Sequence, residues 1–185
     1  MRVIAGVAGG RTLVAPKGAG TRPATDRIRE TLFAILEPRL PGARVLDLFA
    51  GAGTLGIEAL SRGAARATFV ERSANALVAL RKNLAATGFA GRSNVVGASV
   101  LPFLDAGAVP AGPYDLVFLD PPFADVAILD AALSHKSLVG ALAPEALVVA
   151  RALRKHPPTP PANARVVRTK EVGEEDLIFL RYAVQ

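Results

Sequence analysis

The chain has 185 residues, 51% hydrophobic and 21% charged, enough for one α/β domain with its own core, and no apolar run reaches the roughly 18 to 20 residues that cross a bilayer. It has no cysteine, which excludes a disulfide framework, a thiolate metal site and a thiol nucleophile. The net charge is +6 and the pI about 10.3; residues 1–44 hold eight Lys/Arg against three Asp/Glu, so a polyanionic partner gripped by the amino-terminal segment is expected.

No signal-peptide pattern opens the chain, and the cytoplasm is the expected location. Residues 1–20 form a basic extension in which the runs Val3-Ile4 and Thr12 to Val14 flank Gly9-Gly10, a predicted β-hairpin that needs a larger body to pack on. A helix follows, capped by Thr25 or Asp26, with Ile28, Leu32, Ile35 and Leu36 at helical spacing, and Pro38 and Pro41 end it. Arg22, Arg27 and Arg29 stand at its beginning.

From Val45 strand and helix patterns alternate. Strands are expected at 45–48, 67–70, 94–96, 114–119 and 146–152, and helices at 54–62, 73–87 and 99–105 with helical segments between 126 and 142. Such alternation specifies a mainly parallel sheet covered by helices on both faces, with ligands beyond the carboxyl ends of its strands. After four prolines between 157 and 161, runs 165–172 and 177–183 flank Gly173 to Asp176, a predicted four-residue hairpin loop. His135 and His156 stand alone in polar or proline-rich contexts and are expected at the surface.

Two stretches carry chemistry. In the first, strand 45–48 runs into Gly51, Gly53 and Gly56 and then a helix, an architecture that offers backbone N–H groups to a nucleotide-like ligand. The glycines also satisfy the dinucleotide pattern, with Glu71 placed as a ribose-binding acid, so they leave the cofactor open. Asp47 at the strand's end disfavours a pyrophosphate and favours a cationic group such as a sulfonium.

In the second, strand 114–119 ends in Asp120-Pro121-Pro122-Phe123. Two prolines remove two backbone donors, leaving carbonyls and a carboxylate as acceptors beside an aromatic ring, a set that suits a planar amino group. Methyl transfer to such a nitrogen needs in-line approach more than a strong base. The missing cysteine argues against methylation at pyrimidine C5, which usually proceeds through a cysteine adduct.

With these residues assembled, the chain resembles a class I S-adenosylmethionine-dependent methyltransferase. More closely, it resembles the bacterial family that methylates the exocyclic N2 of a guanine in small-subunit (16S) ribosomal RNA. The likeness is carried by Arg2 to Gly6 with Gly9-Gly10-Arg11, by Gly20 to Pro23 with Asp26 to Phe33, by Val45 to Ala64, by Phe69 to Glu71 and by Phe118 to Phe123.

It implies an α/β, Rossmann-like fold over residues 21–185, with a seven-stranded mainly parallel sheet and a carboxyl-terminal antiparallel hairpin, preceded by the extension 1–20. It implies that Asp47, Phe49, Gly51 and Gly53 line S-adenosylmethionine, that Glu71 binds its ribose hydroxyls with Arg72 alongside, and that Ser99 stands where an adenine-contacting acid is often found. Asp120, Pro121, Pro122 and Phe123 would hold the guanine, and Arg11, Lys17, Arg22, Arg27 and Arg29 would face RNA or help close the cofactor pocket. The implied partner is small-subunit ribosomal RNA in an assembling or assembled 30S particle, met by a monomer with no metal and no membrane contact. Ala150 stands where relatives often have a glutamate, and Val172-Gly173 where they have an aromatic-glycine pair. The rival readings are a DNA or other nucleic-acid amino methyltransferase, a dinucleotide-dependent oxidoreductase, and a non-catalytic RNA-binding assembly protein.

Overall fold

The structure, a computed structural model, describes residues 1–16, 24–107, 109–110, 112–122 and 126–183. Its centre is a seven-stranded sheet: β1 (Arg44–Leu48), β2 (Arg66–Glu71), β3 (Ser93–Gly97), β4 (Tyr114–Leu119), β5 (Leu142–Leu153), β6 (Ala164–Val172) and β7 (Glu175–Tyr182). The order across it is β3-β2-β1-β4-β5-β7-β6. β1 to β5 run parallel, and β7 enters antiparallel between β5 and β6. The chain moves outward from β1 to β3 and then crosses to β4 on β1's other side, so the loops after β1 and β4 flank the point where the order reverses and open on one crevice.

Each strand alternates its side chains between two cores. Val45, Phe69, Leu116, Phe118, Val149, Leu177 and Phe179 face α1 (Asp26–Leu36), α2 (Thr54–Ser61) and α3 (Ala74–Thr87). Leu46, Leu48, Val70, Val117, Val148, Ala150, Ile178 and Leu180 face α4 (Val100–Asp105), α5 (Val126–Leu133) and α6 (Lys136–Gly140). α1 lays Ile28, Leu32, Phe33 and Leu36 on the first face, with the Phe33 ring 5.9 Å from that of Phe118. Each such side chain contributes about 1.5 to 3 kcal/mol on burial. The helix ends follow from sequence: Thr25 accepts from the Ile28 N–H, Ser73 from that of Ala76, and Gly88 closes α3 in the left-handed region at φ 78°.

The amino-terminal segment doubles back as a short antiparallel hairpin: the Val3 N–H donates to the Arg11 carbonyl, that of Gly10 to Val3 and that of Leu13 to Met1, around one bridge, Arg2 with Thr12. It is also stitched to the domain: Glu58 accepts from the N–H groups of Ile4 (2.7 Å) and Ala5 (3.0 Å), Ser61 Oγ from that of Ala8, and Asn83 both accepts from and donates to the Val14 backbone. Val3, Ala8 and Leu13 enter the first core, which is the larger body that the hairpin packs on.

The helical segments expected between 126 and 142 are α5 and α6, parted at His135, which caps α6 by accepting from the Ser137 N–H. The final hairpin turns on two residues, Gly173 and Glu174, rather than four, because Glu175 and Asp176 pair with cations on β5 and its end and so stay in the strand. Among the described residues no helix is long and apolar enough to cross a membrane.

Candidate active site

The glycine loop is held by two carboxylates. Asp47, only 1% exposed, accepts from the Gly56 N–H at 3.0 Å through Oδ2, tying the end of β1 to the first turn of α2. Glu71 accepts from Gly51 N–H at 2.8 Å and from Ser73 N–H at 2.7 Å, clamping the loop after β1 to the loop after β2. Gly53, at φ 83°, caps α2; a Cβ there would lie 2.3 Å from Leu80 Cδ1, so both the turn and the packing require glycine. Phe49 is the sole non-glycine residue at positive φ (66°) among the described residues, a cost that marks the crevice's rim.

Burial pushes the Asp47 carboxyl up to about 8; the Gly56 hydrogen bond opposes this, and the charges of Asp120 and Glu71 add to it. The three acids therefore sense one another across the crevice. Of the three, Glu71 lies at the rim itself, where a carboxylate disfavours a dinucleotide's pyrophosphate and attracts a cation. Among the described residues no cluster of His, Asp and Glu has the make-up of a metal site.

Ser99 caps α4 without spending its hydroxyl on the cap, and stays half-buried just beyond β3. Arg72 is exposed beside Glu71. Thus Asp47, Phe49, Gly51, Gly53, Glu71, Arg72 and Ser99 all fall on the carboxyl edge of β1 to β3.

Asp120 extends β4 into the same crevice. Its Oδ1 receives Arg151 Nε at 2.5 Å, and Arg151 Nη1 in turn donates to Glu175 Oε2 at 2.8 Å. All three side chains are largely buried. Burial raises the Asp120 carboxyl above the ordinary range, Arg151 pulls it back, and Glu175 adds to the rise. Behind the pair lies a cavity of about 10 Å³ lined by Ile28, Leu32, Leu55 and Phe118. That is room for about one water and none for a planar ring. Pro121 is buried and Pro122 exposed; Phe123 lies outside the described residues.

The signal for Arg151 was a lone charge in the apolar run Ala146 to Leu153. Ala150 is buried against the other core, and alternation alone aims its neighbour at Asp120. Glu58 was a similar signal, an acid inside an apolar helix.

The cations assigned to RNA separate. Lys17 and Arg22 lie outside the described residues. Arg27 is exposed, and Arg11 is exposed but donates to the Ala86 carbonyl at 2.5 Å. Arg29 is 1% exposed: Nη2 binds the Arg2 carbonyl and Asp26, while Nη1 stands 3.7 Å from Glu58. It offers no surface to a polymer; helical periodicity turned it inward with Ile28 and Leu32, where it anchors the amino-terminal segment. His135 approaches Asp105 at 3.0 Å, is partly covered, and lies on α5 to α6 connections away from the crevice; His156 is exposed.

Three comparisons with known proteins bear on this edge. The family model described as conserved hypothetical protein 95 matches residues 1–181. Ribosomal RNA small subunit methyltransferase D of Escherichia coli K12 is 43% identical over 175 residues, 94% of this chain and 86% of the relative; that of Haemophilus influenzae is 36% identical over 174 residues, 94% and 89%. The solved structure of the putative methyltransferase yhhF from Escherichia coli superposes with a TM-score of 0.84 at 38% identity, covering 100% of this chain and 99% of the other.

Proposed function

The chain belongs to the conserved hypothetical protein 95 family, with the small-subunit ribosomal RNA methyltransferases D among its relatives, and from that premise we propose that it transfers a methyl group from S-adenosylmethionine to the exocyclic N2 of a guanine in 16S ribosomal RNA. The observation that supports this reading is the meeting of a glycine loop clamped by Glu71 and Asp47 with the Asp120-Pro121-Pro122 loop across the strand-order reversal.

The donor set fits the cofactor. Gly51 and Gly53 give it a backbone ledge with open space above Gly51, Glu71 faces its ribose, Ser99 its adenine, and the acidic rim its charged end. When bound, S-adenosylmethionine supplies an electrophilic methyl group on a sulfonium. Asp47 acts through the loop it fixes at Gly56 rather than by contact, since it is buried.

Asp120, with Oδ1 held by Arg151, turns its other oxygen to one N–H of the guanine amino group. The loop carbonyls take the second, because Pro121 and Pro122 have no N–H to compete. Phe123, next in sequence, is assigned to stack on the base. Held in this way, the nitrogen would lie in line with the methyl carbon; as the N–C bond formed, the C–S bond would break to leave a neutral thioether, and the amino proton would pass to Asp120 or to water. The acidic rim disfavours a dinucleotide oxidoreductase. The substrate is assigned as RNA in the 30S particle, met in the cytoplasm by a monomer.

The test is turnover on undermodified small-subunit RNA and on 30S particles, with the product mapped by mass spectrometry. Wild type is expected to add one methyl to a guanine N2. Asp120→Ala and the closer isostere Asp120→Asn should lose at least about 100-fold in rate while still binding the cofactor. Retained activity in both variants removes Asp120 from its role; a product other than N2-methylguanine refutes the assigned acceptor.

A further inference from the structure

Charge in the structure is distributed differently from charge along the chain. From Ala146 to Lys170 there are six cations, Arg151, Arg154, Lys155, Arg165, Arg168 and Lys170, and no acid. Arg151 is committed to Asp120 and Glu175, and Arg154 to Glu171 and Asp176. None of the ion pairs among the described residues involves Arg165, Arg168 or Lys170, all exposed on β6, the edge strand of the sheet.

Their alignment is built by a bulge. In β6, Val166 pairs with Leu180 and Arg168 with Phe179, so Val167 is an extra residue in the strand. Without it, strict alternation would put Arg165 on the face opposite Arg168 and Lys170. With it, Arg165 (opposite Arg181), Arg168 (opposite Phe179) and Lys170 (opposite Leu177) all take the face that carries α1. Placing Arg165 directly opposite Arg181 sets like charges together, a cost that an anionic partner would relieve. Glu145 already pairs with Arg181 at 2.8 Å.

Beneath this row runs an open groove of about 310 Å³ lined by Ile35, Arg39, Leu147, Val167, Arg168 and Arg181, with Phe179 at its floor. Leu147 in its lining precedes Arg151 by four residues on β5, about 13 Å along the strand. Arg151, bound to Asp120, pairs across strands with Leu177, which pairs with Lys170. At about 4.8 Å per strand, Lys170 stands about 10 Å from Arg151 along one row of the sheet.

We propose that the bulge-aligned cations Arg165, Arg168 and Lys170, with Arg39 and Arg181 across the groove, hold the phosphodiester backbone of the RNA whose base is presented to Asp120. This rests on the ribosomal RNA reading above and moves much of the polymer's grip from the amino terminus to the carboxyl-terminal hairpin. A chain of phosphates suits the surface better than an acidic protein segment would, because Arg165, Arg168 and Lys170 follow one strand in a line and enter none of the ion pairs among the described residues, while Arg39 and Arg181 already meet Glu145. Cations on an edge strand also serve to prevent strand-to-strand aggregation, and the experiment separates the two roles.

The full-length triple variant Arg165→Gln/Arg168→Gln/Lys170→Gln is compared with wild type and with Arg81→Gln/Lys82→Gln, which removes exposed cations from α3, on the same face but toward the opposite, β3 edge of the sheet. The probe is undermodified small-subunit RNA, with binding followed from low to moderate salt. The triple variant is expected to bind at least about tenfold more weakly, to lose about 2 to 3 from the slope of log affinity against log salt, and to raise KM with kcat and cofactor affinity unchanged. The α3 variant should match wild type. If wild type methylates the RNA but the triple variant keeps its KM and salt slope, the surface is refuted while the ribosomal RNA reading stands. Aggregation with RNA affinity intact refutes it too, marking the cations as edge protection. If wild type neither binds nor methylates the RNA, the functional reading falls and this inference with it.

Discussion

The two sides of the crevice are built differently. On the β1 side, Asp47, Gly51, Gly56, Glu71 and Ser73 bind one another within 27 residues, and the carboxylates are answered by backbone N–H groups alone. On the β4 side, Asp120, Arg151 and Glu175 come from three strands spread over 56 residues, and carboxylate is answered by guanidinium. A backbone dipole fixes geometry without cancelling charge, so the β1 side keeps a buried acid with a raised pKa. The β4 side neutralises its acid and fixes one oxygen, leaving the other for a substrate.

The strongest test of that contrast is Asp47. Its folded pKa, about 8, lies above the unfolded value of 3.8, so the folded state binds the proton more tightly. Its contribution is therefore most favourable below about pH 4, declines as pH rises toward 8 and levels off above it. The span is roughly 6 kcal/mol at most. Denaturant unfolding of wild type and Asp47→Asn across pH 4 to 9 should show the slope shrinking in the variant; identical slopes would mean that the buried acid does not titrate with folding.

Next in size is Arg151→Met, which keeps volume but leaves two buried carboxylates without a counter-charge, at a cost of about 3 to 5 kcal/mol. Because Asp120 loses the group that lowers its pKa, the rising limb of the pH-rate profile should move to higher pH. Arg151→Lys should recover part of both. A profile that stays in place would limit Arg151 to a purely structural role. Smallest is Gly53→Ala, which meets Leu80 and a left-handed backbone together; about 2 kcal/mol of stability and part of the cofactor affinity should go, read by chemical denaturation and calorimetry.

The β1 side was legible in the residues themselves. A glycine needed at Gly53, an acid ending a strand and a cap at Ser73 act on neighbours in the chain, so their spacing carries the geometry. Arg151 was visible only as an odd charge in an apolar strand, since its partner depends on which strands are adjacent. Glu175 and Asp176 read as loop residues because acids next to glycine usually are; cross-strand cations kept them in β7. Arg29 shared its neighbours' charge but not their exposure, because one position around a helix separates solvent from core.

By itself, then, the sequence determined the order of strands and helices, the glycine loop and the Asp120 motif, all set by periodicity and short-range sterics. Only the tertiary structure decided which cations are buried, which acid meets which guanidinium, and that one extra residue at Val167 brings Arg165, Arg168 and Lys170 to a common face. Those outcomes depend on register between distant strands, and a register shift of one residue exchanges the faces without altering the local pattern.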